Sequence, residues 1–364
     1  MDQIKPQTRC ILCLVALATL SACFARAPSP RAQQSLKPSQ PPSSTKEATP
    51  PPPSSPPPAT PGIVAQSSPP PFSAPGVLTT GPAGAGLAGG PGNRVIGRLR
   101  AGIPVPYTAI QSGWARILTP CEQTRWIRVD EGINAVRPLV ILDPGHGGDE
   151  QGAVGPSGLT EKSVNLDVAS KAAELLAAQG VPVVLTRTGD YRATLGFRVA
   201  LAGAVRPDLL VSIHHNADPD GRMERPGSET YYQFRSQDSK RLAGLMFEEA
   251  IRALSTLPAD WVGDTDAGAK WRLNSRGEDY YGLLRRARDA GVTSILAELA
   301  FVSNPSEEAL LAREDTRRLE ADAVARAVIR YLRSKDPGSG FTTPYPRTEP
   351  AGPGGGRGGC VDPS

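Results

Sequence analysis

Histidine is scarce in this 364-residue chain, and all three copies, His146, His214 and His215, fall in two short motifs. The first motif covers residues 139–162, LVILDPGHGGDEQGAVGPSGLTEK. Its apolar start at 139–142 reads as a buried strand, which Asp143-Pro144-Gly145 breaks. His146 comes next, followed by Gly147-Gly148, which let the backbone turn tightly around the imidazole. Glu161 stands fifteen positions later, where a helical run opens. The second motif, LLVSIHHNA at 209–217, reads as a strand that delivers His214 to its carboxyl end. Strand alternation sends His214 and His215 to opposite sides, so one of the two faces the site. A His/Glu/His set leaves the fourth tetrahedral position to water, as in catalytic rather than structural zinc. Imidazole and carboxylate without thiolate also suit zinc better than iron–sulfur or copper(I).

The elements that must position these groups alternate between strand and helix from residue 137 onward. A helix is expected at about 164–179, capped by Thr160 or Ser163, with Val164, Val168, Ala172, Leu175 and Leu176 on one face. VPVVLT (181–186) is nearly all apolar, as in a parallel strand covered on both sides. Helix 194–204, strand 208–213, strand 228–234, helix 238–255, strand 294–301 and a closing helix at 316–332 follow. This order predicts an α/β fold: a mostly parallel twisted sheet with helices on both faces and a site at the strand carboxyl ends.

The blocks DPGHGG, GLTEK, SIHHNA and AELAFVSNP, in that order, resemble those of the zinc-dependent N-acetylmuramoyl-L-alanine amidases, the type 3 cell-wall amidases. The resemblance spans about residues 137–334. It implies zinc held by His146, Glu161 and His214, and a catalytic glutamate at Glu298. His215 departs from the small residue common at that place in the family. Glu298 lies inside an apolar strand, where a carboxylate is costly without a partner, and as general base it would take a proton from water.

Outside this domain, residues 1–22 read as a lipoprotein signal peptide. Lys5 and Arg9 precede an apolar run at 11–20 that is too short to span a bilayer. Leu20-Ser21-Ala22-Cys23 resembles a lipobox, which implies cleavage before Cys23, lipidation of its sulfur and membrane anchoring. Residues 23–92 hold 19 of the 38 prolines and read as a disordered tether. Extended, such a tether reaches at most roughly 200 Å. Residues 93–136 suggest a small β-rich, SH3-like module with Trp114 and Trp126 as core filler, and 137–336 the catalytic domain. Residues 337–364 read as a disordered Gly/Pro-rich tail. Cys121 and Cys360 are the thiols left after cleavage, and in an exported protein they either pair or stay free.

Cysteine catalysis finds no support, because Cys10 and Cys13 lie in the signal and no histidine accompanies Cys121 or Cys360. A net charge of +4 gives no case for nucleic acid. The partners expected are peptidoglycan and the membrane, with the protein acting as a monomer. Two function classes remain: a zinc amidase, and a non-catalytic wall-binding lipoprotein on the same fold. A zinc hydrolase of another cell-wall peptide bond is the alternative within the first. The segment 256–277 lacks periodicity; it is either a lid or substrate loop, by likeness to relatives with a helix over the zinc, or a surface loop.

Overall fold

The computed structural model describes residues 75–134, 138–217, 222–223, 226–262, 267–343 and 359–364. The signal segment, Cys23 and the tether up to residue 74 lie outside the described residues. The first seven strands form one antiparallel sheet: β1 (Gly76–Thr80), β2 (Ala85–Ala88), β3 (Val95–Leu99), β4 (Pro104–Gln111), β5 (Trp114–Leu118), β6 (Thr124–Arg128) and β7 (Gly132–Asn134). Their order is β3-β2-β6-β5-β4-β1-β7. Leu78, Leu99, Ile103, Val105, Ile117 and Ile127 make its core, and Tyr191, Ala193 and Phe197 of the following domain complete it.

This module is larger than the 93–136 expected. β1 and β2 fall in the stretch read as tether, yet their Val77, Leu78, Ala85 and Leu87 are buried. Small residues dilute apparent hydrophobicity but fit a strand whose neighbours approach closely. Trp114 and Trp126 are only half-buried, so they do not fill the core as expected.

The second part is β8 (Val140–Pro144), α1 (Glu161–Ala178), β9 (Val183–Leu185), α2 (Leu195–Val205), β10 (Leu209–Asn216), β11 (Arg222–Met223), β12 (Glu229–Tyr232) and α3 (Gln237–Leu254). It continues with β13 (Trp261–Val262), β14 (Gly268–Lys270), α4 (Gly282–Asp289), β15 (Thr293–Phe301), α5 (Pro305–Leu311) and α6 (Glu314–Arg333). Six strands form a sheet in the order β14-β12-β15-β10-β8-β9. β15, β10, β8 and β9 run parallel, and β12 is antiparallel to β15.

Strand alternation sorts the two faces. Val140, Leu142, Leu209, Val211 and Ile213 pack with Val168, Leu242, Met246 and Val324, on the face covered by α1, α3 and α6. Ile141 and Leu210 point the other way, into Leu201, Ala202, Leu283 and Ala287 of α2 and α4. Both faces are buried, which is why these strands read as continuous apolar runs.

Within 256–277, Trp261 is buried in the main core, β13 pairs with β11, and β14 joins the sheet edge. Among the described residues this segment contributes strands and no helix.

The C-terminal stretch 337–364 is ordered at both described ends, against the expectation of a disordered tail. Phe341 runs parallel to Ala269 on the outer side of β14, and Thr342 donates to the Ala269 carbonyl at 3.1 Å. Cys360 is disulfide-bonded to Cys121, which resolves the open pairing. The Cys121 amide donates to Asp362 at 2.8 Å and the Arg100 amide to the Pro363 carbonyl at 3.0 Å. Glycine and proline content hid a segment that is fixed by a covalent bond and a single bridge to β14 rather than by a core of its own. The disulfide agrees with an extracytoplasmic location.

Candidate metal centre

β8 ends at Pro144, and His146 follows in left-handed backbone with φ of 61°. Gly145 is required here, because a Cβ on it would lie 2.2 Å from Cε1 of His214. β10 runs beside β8 and brings His214 to the same edge. Glu161 is the first residue of α1, three residues before the start expected; Thr160 stands at the N-cap position, but its side chain makes no capping hydrogen bond. Its Oε2 lies 3.1 Å from His146 Nε2 and its Oε1 2.9 Å from His214 Nδ1. The Ala153 amide also donates to Oε2, at 2.8 Å. Gly152 passes so close that a Cβ there would fall 2.3 Å from that oxygen. The two imidazole rings meet edge-on, centroids 4.9 Å apart.

One donor atom from each of His146, Glu161 and His214 fits within 4.8 Å of the other two. Burial opposes ionisation of Glu161, but hydrogen bonds and charge from the two histidines hold its carboxyl well below the usual carboxylate range. Burial pushes the His214 imidazole below its ordinary value, against the pull of Glu161. An ionised carboxylate beside a neutral imidazole is the protonation state a cation binds. The donor set therefore fits zinc. Side-chain exposures of 23% at His146 and 18% at His214 leave the cluster open to a ligand from solvent.

The fourth sequence-predicted residue, Glu298, lies alongside. Glu298 on β15 is the register partner of His214 on β10, and Glu229 on β12 is its partner on the other side. Paired residues of neighbouring strands project to the same face, about 5 Å apart. His214, Glu298 and Glu229 thus form a row across three strands. Tyr281 is close enough to feel it: burial raises its hydroxyl pKa, and the charges of Glu298 and Glu229 raise it further. His215, by contrast, turns to the opposite face and is 1% exposed.

Several site residues escaped the sequence. Asp143 is fully buried under the His146 loop and accepts from Thr186 at 2.5 Å, Ser212 at 2.6 Å and the Arg198 guanidinium. Arg198 also donates to the carbonyls of Pro144 at 2.9 Å and His146 at 2.8 Å. Arg187 donates to Pro144, Gly145 and Lys162 carbonyls at 2.7–3.0 Å. Burial, then the charge of Arg198, lowers the Arg187 pKa to about 10. The two guanidiniums grip the backbone that carries His146. Glu229 is likewise buried, holding Lys270 and accepting from Tyr231 at 2.9 Å and Asn216 at 2.7 Å. Asn165, one helical turn after Glu161, was the one signal available from spacing.

The profile of N-acetylmuramoyl-L-alanine amidase matches residues 140–330. The N-acetylmuramoyl-L-alanine amidase AmiC of Neisseria meningitidis is 35% identical over 227 residues, 55% of this chain and 54% of that protein. An uncharacterised protein of Bacillus subtilis, YqiI, is 33% identical over 225 residues, 60% of this chain and 93% of that protein. The germination-specific N-acetylmuramoyl-L-alanine amidase of B. subtilis is 31% identical over 211 residues, 54% and 81% of the two chains. The chain thus spans about half the length of AmiC and most of the other two. Because the profile covers just over half of the chain and starts and ends with the sheet and helices that build the His/Glu/His cluster, the chain belongs to the N-acetylmuramoyl-L-alanine amidase family.

Proposed function

We propose that His146, Glu161 and His214 hold the family's zinc and that Glu298 is the general base of an amidase. The bond cut is the amide between the lactyl group of N-acetylmuramic acid and L-alanine in peptidoglycan. One observation carries this reading: three ligand-type side chains converge at the carboxyl edge of a parallel sheet, with Glu298 in register beside one of them. Zinc bound there supplies a Lewis acid that polarises the scissile carbonyl and makes water more acidic.

The chain's own residues supply the rest. Glu298 takes a proton from the water that adds to the carbonyl carbon, and returns it to the nitrogen as the C–N bond breaks. The products are a lactyl carboxylic acid and a peptide with a free amine. Arg187 and Arg198 keep the His146 loop in place, so little reorganisation is needed at the reacting centre.

The test uses purified protein, elemental analysis and mass spectrometry of digested muropeptides. Stoichiometric zinc and stems beginning with free L-alanine are expected. Glu161→Gln should retain less zinc, since a neutral amide oxygen is a poorer ligand than a carboxylate. Full zinc retention in that variant would remove Glu161 from the ligand set. Zinc-loaded wild type that binds peptidoglycan without cutting it would make the protein a wall-binding module.

We further propose that the exported chain is anchored through lipid on Cys23 and works as a monomer against the wall. The lipobox residues Leu20 to Cys23 support this. Cys23→Ala should move the protein from the membrane fraction to the soluble one. Continued partitioning into detergent as a lipoprotein would refute it.

A further inference from the structure

His215, the histidine that turns away from the cluster, is buried with two other polar side chains, Asn165 of α1 and Glu320 of α6. The three are 0–1% exposed. His215 Nδ1 lies 2.7 Å from Asn165 Oδ1, and its Nε2 lies 3.2 and 3.3 Å from the two oxygens of Glu320. Asn165 Nδ2 in turn donates to Glu161 Oε1 at 3.2 Å and to the Gly145 carbonyl at 3.3 Å. The His215 amide reaches the same Glu161 oxygen at 3.2 Å.

Hydrogen-bond valence gives this chain one direction. Both acceptors facing Nδ2 of Asn165 lack protons to offer, so the amide nitrogen must point at Glu161 and its oxygen at His215. That oxygen can only accept, so Nδ1 of His215 carries a hydrogen. Nε2 then faces Glu320 with one proton between them, because two bare lone pairs would repel. Glu320 orients His215, His215 orients Asn165, and Asn165 orients Glu161. One wrong rotamer anywhere would strand a buried polar atom without a partner.

Packing alone does not account for this set. The surrounding interface between α1, β10 and α6 is built from Val168, Ile213, Val324 and alanines. Replacing a buried ionic pair with apolar side chains of similar volume is often neutral or stabilising. A His–Glu pair kept in such surroundings, and connected at its far end to one carboxylate, has a positioning role. We propose that Glu320, His215 and Asn165 are positioning residues that hold the Glu161 carboxylate in its metal-binding orientation. This inference rests on Glu161 being a zinc ligand.

The experiment measures zinc affinity by chelator competition, and the thermal midpoint of the zinc-free protein, across one set of variants. Asn165→Leu and Glu320→Leu should weaken zinc binding about 10- to 100-fold, the usual effect of removing a partner behind a ligand. Glu320→Gln should stay near wild type, because its amide can still donate to Nε2 and keep the hydrogen on Nδ1. The triple variant Asn165→Leu, His215→Phe and Glu320→Leu replaces the whole polar set with apolar groups and strands no partner within it. It should unfold at or above the wild-type temperature and still bind zinc about 10-fold or more weakly.

Wild-type zinc affinity in Asn165→Leu and Glu320→Leu would overturn the proposal. So would losses of affinity that merely follow losses of thermal stability, or a Glu320→Gln variant as poor as Glu320→Leu. A failure of the parent reading looks different: wild type itself would not bind zinc, or His214→Ala would bind it unchanged.

Discussion

Glu298→Gln should lower turnover by about 10²–10⁴, the range for losing a positioned acid–base group, while zinc content and folding persist. The substitution keeps the shape of the side chain on β15 and leaves His146, Glu161 and His214 untouched. It removes only the ability to take a proton from water and hand it to the leaving amine. The position supports the role, since Glu298 stands next to His214 in register and faces the same edge. The neighbouring carboxylate in the row cannot replace it. Glu229 is 1% exposed and committed to Lys270, Tyr231 and Asn216. Glu229→Gln should therefore act through packing, and its losses should appear in thermal stability as well as in turnover. Release of L-alanine stems from muropeptides, with zinc measured on the same samples, decides the matter. Wild-type turnover in zinc-loaded Glu298→Gln would end the general-base assignment.

What the sequence made legible was what local pattern encodes. The glycine-flanked end of one strand placed His146, the apolar run before it placed His214, and period-two alternation separated His214 from His215. The apolar runs announced a sheet covered on both faces, and the helix openings placed Glu161. Long-range polar pairing left no such trace. Arg198 reads as the polar side of a helix and Glu320 as a surface charge of α6, yet both are buried against partners 55 and 105 residues away. Charge in a sequence looks solvated unless its partner is known. The module boundary failed for a related reason. Val77, Leu78, Ala85 and Leu87 sit among glycines and prolines, and composition averaged over the window hid strands whose burial depends on partners elsewhere in the chain.

Arg198→Met is expected to cost about 3–5 kcal/mol at neutral pH, the price of leaving a buried charge uncompensated. For a domain of this size that lowers the thermal midpoint by on the order of 10 °C. Burial by itself would raise the Asp143 pKa. The Arg198 charge, with hydrogen bonds from Ser212 and Thr186, overcomes it and holds the carboxyl below its usual range. A depressed folded pKa means that Asp143 stabilises the wild type above about pH 4 and that this contribution fades as pH falls through the folded value. Without Arg198, desolvation dominates and the shift reverses. Asp143 then binds its proton more tightly folded than unfolded, so the variant gains relative stability in acid. The gap between variant and wild type should be largest near pH 7 and should narrow below about pH 4. Asp143→Asn in the Arg198→Met background should recover part of the loss at pH 7, because it removes the stranded charge. Thermal unfolding of the zinc-free proteins keeps metal binding out of the comparison. A gap that stays the same from neutral to acid pH, with no recovery by Asp143→Asn, would show that Arg198 acts by filling space rather than by pairing with the carboxylate beneath the His146 loop.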